Sequence, residues 1–318
     1  MGGRHWWSLN GVIGRHAPLL KHVFVNPRES HQQVPGLQSE YWSGLEFNYD
    51  LRMRGLKGRL TAYYTRMMDK TDIHFFFVDS GLGSDFVQEV VTGLDHLHMG
   101  VELGLEYEIT SSLNASAVMS LGKYRVGSDP LVTINFDTAG LEDDLINPEG
   151  SEALGPAMLK DYHLSAGPQK AFSLGLEYRD PAYWWLGVTA NYLAGSYISP
   201  SVLARTGSFR LDPDSGLPFP GANPERVAKL LDQRPLQSVY LLNLTGGKSW
   251  LRKGVYLSFF ASITNVFDLR YPTGGYEQSR NGNFGQWEQD LLSGSPSFGP
   301  KYWYGYGRSF FLNLALAF

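Results

Sequence analysis

Residues 308–318 read RSFFLNLALAF. Phe310, Leu312, Leu314, Leu316 and Phe318 fall on every second position, and Phe311, Asn313, Ala315 and Ala317 stand between them. A period of two sends successive side chains to opposite faces, so the stretch predicts a β-strand. Its large apolar side chains share one face as far as the last residue. Period alone does not say whether that face looks into a core or out into lipid. The other strands, and the segments that join them, decide that.

The pattern recurs. In GVELGLEYEI, Val101, Leu103, Leu105, Tyr107 and Ile109 oppose Glu102, Gly104, Glu106 and Glu108. In SGLEFNYDLRMR, Leu45, Phe47, Tyr49, Leu51 and Met53 oppose Glu46, Asn48, Asp50, Arg52 and Arg54. AFSLGLEY and GVYLSFFASI alternate in the same way. Ten strands are predicted, near 4–15, 42–54, 57–69, 97–110, 113–125, 168–180, 183–196, 237–249, 253–267 and 302–318. Short connections near Gly55, Thr110, Asp180 and Ser249 alternate with long ones, roughly 16–41, 70–96, 126–167, 197–236 and 268–301.

That alternation predicts the class. A hairpin needs only a few residues, whereas outer-membrane barrels set short turns at one rim and long loops at the other. The carboxylates of Glu102, Glu106 and Glu108 stand in one row, which is too costly for a dry core and comfortable in a wet lumen. The apolar face therefore looks outward. Tyr183-Trp184-Trp185 and Trp250 at the short turns, with Tyr41-Trp42 and Tyr302-Trp303-Tyr304 at the long loops, suit two interfacial girdles.

Composition agrees. Of 318 residues, 18% are charged and 14% aromatic, and the net charge of -4 with no basic run argues against nucleic acid as a partner. The chain has no Cys, so thiolate chemistry, disulfides and zinc–thiolate sites are excluded. No apolar run approaches the ~18 residues of a membrane helix. The opening MGGRHWWSLNGVIG lacks the pattern of a signal peptide.

The segment SITNVFDLRYPTGG, followed by a long loop and YGYGRSFFLNLALAF, resembles the C-terminal end of TonB-dependent outer-membrane receptors. Asn265, Phe267 and Asp268 match the motif that ends the family's penultimate strand. Arg308 matches the step into the last strand, and Phe318 the terminal aromatic by which such barrels are handed to their insertion machinery. LEFNYDLRMRGLKGRLTAYYTRMMDKTDI and MGVELGLEYEITSSLNASAVMSLGKY look like further hairpins of the family. The resemblance implies an all-β, antiparallel up-and-down transmembrane barrel portion, incomplete and open. On this expectation residues 1–318 are the C-terminal part of the barrel, with neither plug nor signal peptide. It also implies TonB-energised uptake of a large scarce nutrient: an iron chelate, cobalamin or an oligosaccharide. The implied partners are outer-membrane lipid, the TonB complex in the full-length protein, the insertion machinery and a surface lipoprotein. No cofactor is implied.

Site candidates are few. Tyr276, Arg280, Phe284 and Trp287 in GGYEQSRNGNFGQWEQD could grip a sugar or chelate, with packing of the loop on itself as the alternative. Asp137, Glu142, Asp143, Asp144, Glu149 and Glu152 crowd one loop, but their spacing fits no EF-hand, and a solvated acidic loop is the better reading. His96 and His98, at i and i+2, lack an evident third metal ligand. In NPERVAKLLDQ, Asn223 and Pro224 predict a short loop helix. Two rival functions remain. One is a closed ten-stranded enzyme of the omptin protease type, for which His74, His163 and Asp79 are the only loose candidates; the other is a passive porin.

Overall fold

The computed structural model describes residues 4–28, 31–80, 83–136, 150–165, 167–280 and 282–318. Strands β1 (Arg4–His16), β2 (Glu40–Met53), β3 (Leu56–Ser80), β4 (Gly83–Thr110) and β5 (Leu113–Val126) come first. Two short strands follow, β6 (Leu131–Phe136) and β7 (Ser151–Pro156). Next come β8 (Lys170–Asp180), β9 (Trp184–Ala194), helix α1 (Pro224–Leu230), β10 (Val239–Arg252) and β11 (Val255–Thr264). The chain closes with β12 (Pro272–Tyr276), helix α2 (Phe284–Ser293), β13 (Lys301–Tyr304) and β14 (Ser309–Ala317).

Ten of these strands form one antiparallel meander in the order β1-β2-β3-β4-β5-β8-β9-β10-β11-β14. Among the described residues β1 pairs only with β2 and β14 only with β11, so the sheet is open, as expected. Its register explains the alternation. Leu9, Phe47, Ala62, Val101 and Leu121 lie side by side from β1 to β5. Ala117, Leu174, Ala190 and Leu242 continue that face from β5 to β10, and Leu244, Ile263 and Phe310 carry it to β14. The row Ser8, Asn48, Thr61, Glu102 and Ser120 lies on the other face. A slip of one residue would exchange the two faces completely, so the pattern specifies the register.

The molecule's dry cores are not in this wall. Leu174 is 63% exposed and Leu312 69%. The three buried apolar clusters all belong to the long-loop end: Ala204, Phe209, Val227, Leu231 and Phe284; Val126, Val132, Ala157 and Leu159; and Val25, Val34 and Val90. A soluble sandwich would bury the strand rows. Here the loops pack into a roof while the outer face of the wall stays bare, an arrangement suited to hydrocarbon around it. No helix of the described residues is long and apolar enough to cross a membrane, which says nothing of crossing by strands.

Short turns have local causes. Lys253 and Gly254, at φ 52° and 82°, make the two-residue turn between β10 and β11, a geometry that matches strand twist. Thr110 Oγ1 accepts from the Ser112 and Leu113 amides, 3.2 and 3.0 Å, to close β4 on β5.

Several expectations are corrected. Residues 70–96 were expected as a long loop, but they are the outer halves of β3 and β4, paired from Lys70↔Leu94 up to Ser80↔Gly83. Irregular register between Met67 and Asp72, with Asp69 at φ 57°, bends this ribbon away from the wall. The predicted strand 302–318 is two: β13 pairs with β12 in a separate hairpin, and β14 joins the wall. The last strong turn lies at Lys253 rather than Ser249, because β10 runs on to Arg252. Trp185 does not join the girdle; it stands opposite Arg179 and Gly247, on the face of Glu177, with its ring 5.9 Å from that of Phe260. The helix at Asn223 forms as predicted, its Oδ1 accepting the Arg226 amide at 2.9 Å. A second helix, α2, was not expected. Asn283 caps it through the Gln286 amide at 3.0 Å, and Gly294 at φ 67° ends it.

Candidate functional site

The roof is tied together by buried polar groups. The Arg205 side chain is wholly buried and forms an ion pair with Glu277 through both carboxylate oxygens. It also donates to the Leu231 carbonyl at 3.1 Å and the Ser201 carbonyl at 3.3 Å, beneath the rings of Tyr162 and Trp287. The segment 195–238 is thereby joined to 265–308. Backbone bonds from Ser199 N to the Gly275 carbonyl and from Glu277 N to the Ser199 carbonyl, both 2.9 Å, add to the seam.

Beside the seam lies a cavity of about 400 Å³ between the bent β3–β4 ribbon and the roof. His74, Glu89, Phe75, Ser199, Tyr276 and Glu277 are among its lining residues. His74 and Glu89 are cross-strand neighbours. His74 Nδ1 lies 3.1 Å from Glu89 Oε2, and its Nε2 lies 3.3 Å from Asp72 Oδ2. Asp72 and Glu89 together raise the imidazole's pKa to about 10, against the cost of burial. A smaller cavity, of about 260 Å³, shares His74 and adds His96, His98 and His163. His163 is immobilised there: its ring stacks on Tyr197 at 4.2 Å, its Nδ1 lies 2.9 Å from Gln169 Nε2, and burial lowers its pKa. On the inner face near the short turns, Lys57, Glu106, Glu108 and Glu177 line a wet recess of about 470 Å³.

The four aromatic and basic candidates are not gathered on one surface. Tyr276, 42% exposed, lines the 400 Å³ cavity. Arg280 lies between the rings of Phe77 and Phe298, at 5.1 and 4.6 Å. Trp287 packs on the roof core and lines a separate groove with Leu291 and Phe298. Phe284 is 1% exposed, inside that core, so it supports the roof instead of presenting a face. Glu89 and Ser199, which sequence reasoning missed, come to the site through the unforeseen ribbon and the loop seam. Of the acidic-loop candidates, Asp137, Glu142, Asp143, Asp144 and Glu149 lie outside the described residues; Glu152 sits exposed on β7. Among the described residues no three ligating side chains converge as a metal site, and His96 and His98 gain no third ligand.

The residues of the family motif form a clasp. Asn265, buried and at φ 51°, donates to the Leu269 and Tyr306 carbonyls, 2.8 and 3.1 Å, and accepts the Leu269 amide at 3.0 Å. Asp268 Oδ1 accepts the Arg308 amide at 2.7 Å. A Cβ at position 307 would stand 2.7 Å from that oxygen, so a larger residue there would push the Asp268 carboxylate off this bond. Phe267, in the turn after β11, and Phe318, after β14, are exposed.

The proteolytic candidates show no such assembly. Both His74 nitrogens face carboxylates, so at neutral pH it is an imidazolium and no general base. Neither His74 nor His163 is hydrogen-bonded to a hydroxyl nucleophile among the described residues. The side chain of Asp79 lies outside what is described.

An open up-and-down wall, apolar outside and polar inside, roofed by loops at one rim, defines the class: a portion of a transmembrane-type β-barrel with a built mouth. No protein-family model and no curated protein sequence matches the chain. Solved structures do. The chain is similar to the copper transporter OprC at 17% identity and TM-score 0.53, over 98% of this chain and 37% of that one. It is similar to a variant of the ferric enterobactin receptor PfeA from Pseudomonas aeruginosa at 16% identity and TM-score 0.54, over 99% and 38%. The pyoverdine outer membrane receptor FpvA from Pseudomonas aeruginosa PAO1 matches at 11% identity and TM-score 0.50, over 98% and 35%. The chain thus spans little more than a third of each of these proteins. What the chain shares with them is the fold, an open portion of antiparallel β-barrel wall.

Proposed function

We propose that this chain forms part of the wall and mouth of an outer-membrane receptor that imports a large, scarce nutrient with energy delivered through TonB. One observation carries the reading. The packed cores lie in loops at a single rim, above a polar inner face, while the outer face is bare and apolar. Such a molecule recognises at its mouth and conducts through its interior. The Gram-negative outer membrane supplies the lipid for the outer face. The barrel-insertion machinery would fold the wall into that membrane, and a surface lipoprotein would meet the roof. The nutrient is a polar molecule too large for porins, of the iron-chelate, cobalamin or oligosaccharide kind. Tyr276, Arg280 and Trp287, on separate parts of the roof, are its contact residues, and Phe284 supports Trp287 from within the roof core.

The test is uptake in cells carrying the full-length gene, with and without an energised TonB system. Uptake that stops when TonB is uncoupled is expected. Entry that ignores TonB would make the barrel a porin, and turnover of a bound compound would make it an enzyme.

A further inference from the structure

The 400 Å³ cavity holds an unsatisfied acceptor. Glu89 is 2% exposed, its Oε2 faces His74, and its Oε1 has no hydrogen-bond partner. Glu89 nonetheless lines the cavity. A buried carboxylate oxygen left without a donor is costly, so the oxygen points to a donor that the chain does not supply.

The charge around it identifies the donor's class. The two ring nitrogens of His74 face Glu89 Oε2 and Asp72 Oδ2. Glu277, on the opposite wall, is neutralised by Arg205. Glu89 Oε1 is therefore the carboxylate oxygen of the lining that is left without a partner. Phe75 and Tyr276, 54% and 42% exposed, line it together with Phe76. A carboxylate with aromatic faces beside it suits a cation that also donates hydrogen bonds. A bare metal ion fits poorly, because Glu89 offers one free oxygen and no three ligands converge among the described residues.

We propose that this cavity is a subsite for a protonated amine carried by the transported ligand, received by Glu89 Oε1 and faced by Phe75, Phe76 and Tyr276. The proposal rests on the receptor reading above and adds to it the chemical class of one part of the ligand.

The full-length gene product, purified in detergent micelles, is titrated calorimetrically with cadaverine and with the five-carbon diol that is its neutral counterpart. Cadaverine is expected to bind saturably, and the diol about tenfold or more weakly. Glu89→Gln keeps the shape and removes the charge, so it is expected to weaken cadaverine about tenfold and leave the diol unchanged. Tyr276→Leu, at an open position, is expected to weaken cadaverine about threefold. Circular dichroism of the strands verifies folding. If Glu89→Gln does not fold, the ratio of amine to diol and the Tyr276 variant decide. Equal binding of the diol, an unaltered Glu89→Gln, or no saturable binding of cadaverine would each overturn the subsite. Amine binding with TonB-independent uptake would remove the transporter reading and keep the subsite. TonB-driven uptake without amine preference would do the opposite.

Discussion

Arg205 shows how single residues hold the mouth together. Its guanidinium is buried, so its worth lies in having every donor placed: Glu277, two carbonyls and the faces of two rings. Breaking such a pair from one side leaves an uncompensated charge in a dry place. Arg205→Ala should therefore cost roughly 3–5 kcal/mol of roof stability, while replacing both Arg205 and Glu277 by apolar residues of similar size should recover most of it. Hydrogen exchange in residues 195–238 and 265–308 reads the effect, and the wall strands should keep their protection. Asn265 and Asp268 act at the same scale, bridging the end of β11 to the start of β14 through side-chain bonds.

At the scale of elements, the bent ribbon made by the outer halves of β3 and β4 is the piece that carries the site. Its Val90 packs with Val25 and Val34 of the loop after β1, and β6 pairs along Val87–Thr92, where Val87 and Val91 are buried too. His74 adds a pH-dependent part to its stability. The folded pKa is raised to about 10 from 6.5, so the imidazolium's contribution is fully present below about pH 6.5. It declines as the pH rises and is lost above about pH 10. Protease cutting within the ribbon should accordingly be slow near neutrality and quicken toward pH 10 in the native protein. His74→Gln should flatten that profile. An unchanged profile in the variant would show that the ion pairs with Asp72 and Glu89 do not hold the ribbon.

For the whole molecule, the two faces of the wall have opposite tolerances. Leu174 and Ser173 are neighbours in β8, yet Leu174 belongs to the outer row with Ala117 and Ala190, and Ser173 to the inner one with Val118 and Asn191. Leu174→Arg should destabilise the barrel in lipid vesicles by ~2–4 kcal/mol, and Ser173→Arg by much less. Urea titration of the full-length protein folded into vesicles checks both. Equal costs would mean that the inner face is not wet. The open order from β1 to β14 leaves both terminal strands with one partner each among the described residues, so further strands are needed before the wall can enclose a lumen.

What the chain determines by itself is local and periodic. Alternation at Leu312, Leu314 and Leu316 and the cap at Asn223 each act within a few residues, so the wall strands, their faces and one helix are legible without tertiary information. The turn at Lys253-Gly254, by contrast, lies four residues beyond the one expected at Ser249. Even α2 had its signals in Asn283 and Gly294, hidden by a glycine- and aromatic-rich stretch that also reads as loop. The ribbon 70–96 was obscured for a different reason: in its β4 half Val87, Gln88, Glu89, Val90 and Val91 are all buried, on both faces of the strand, so period two disappears there. The site needed the fold outright. Glu89 faces Tyr276 and Ser199 across one cavity only because the ribbon bends at Asp69 and the Arg205–Glu277 pair draws two distant loops together. Pattern along the chain records which side of a strand is greasy. Which loops meet above it depends on packing between residues far apart in sequence, and tertiary structure alone decides that.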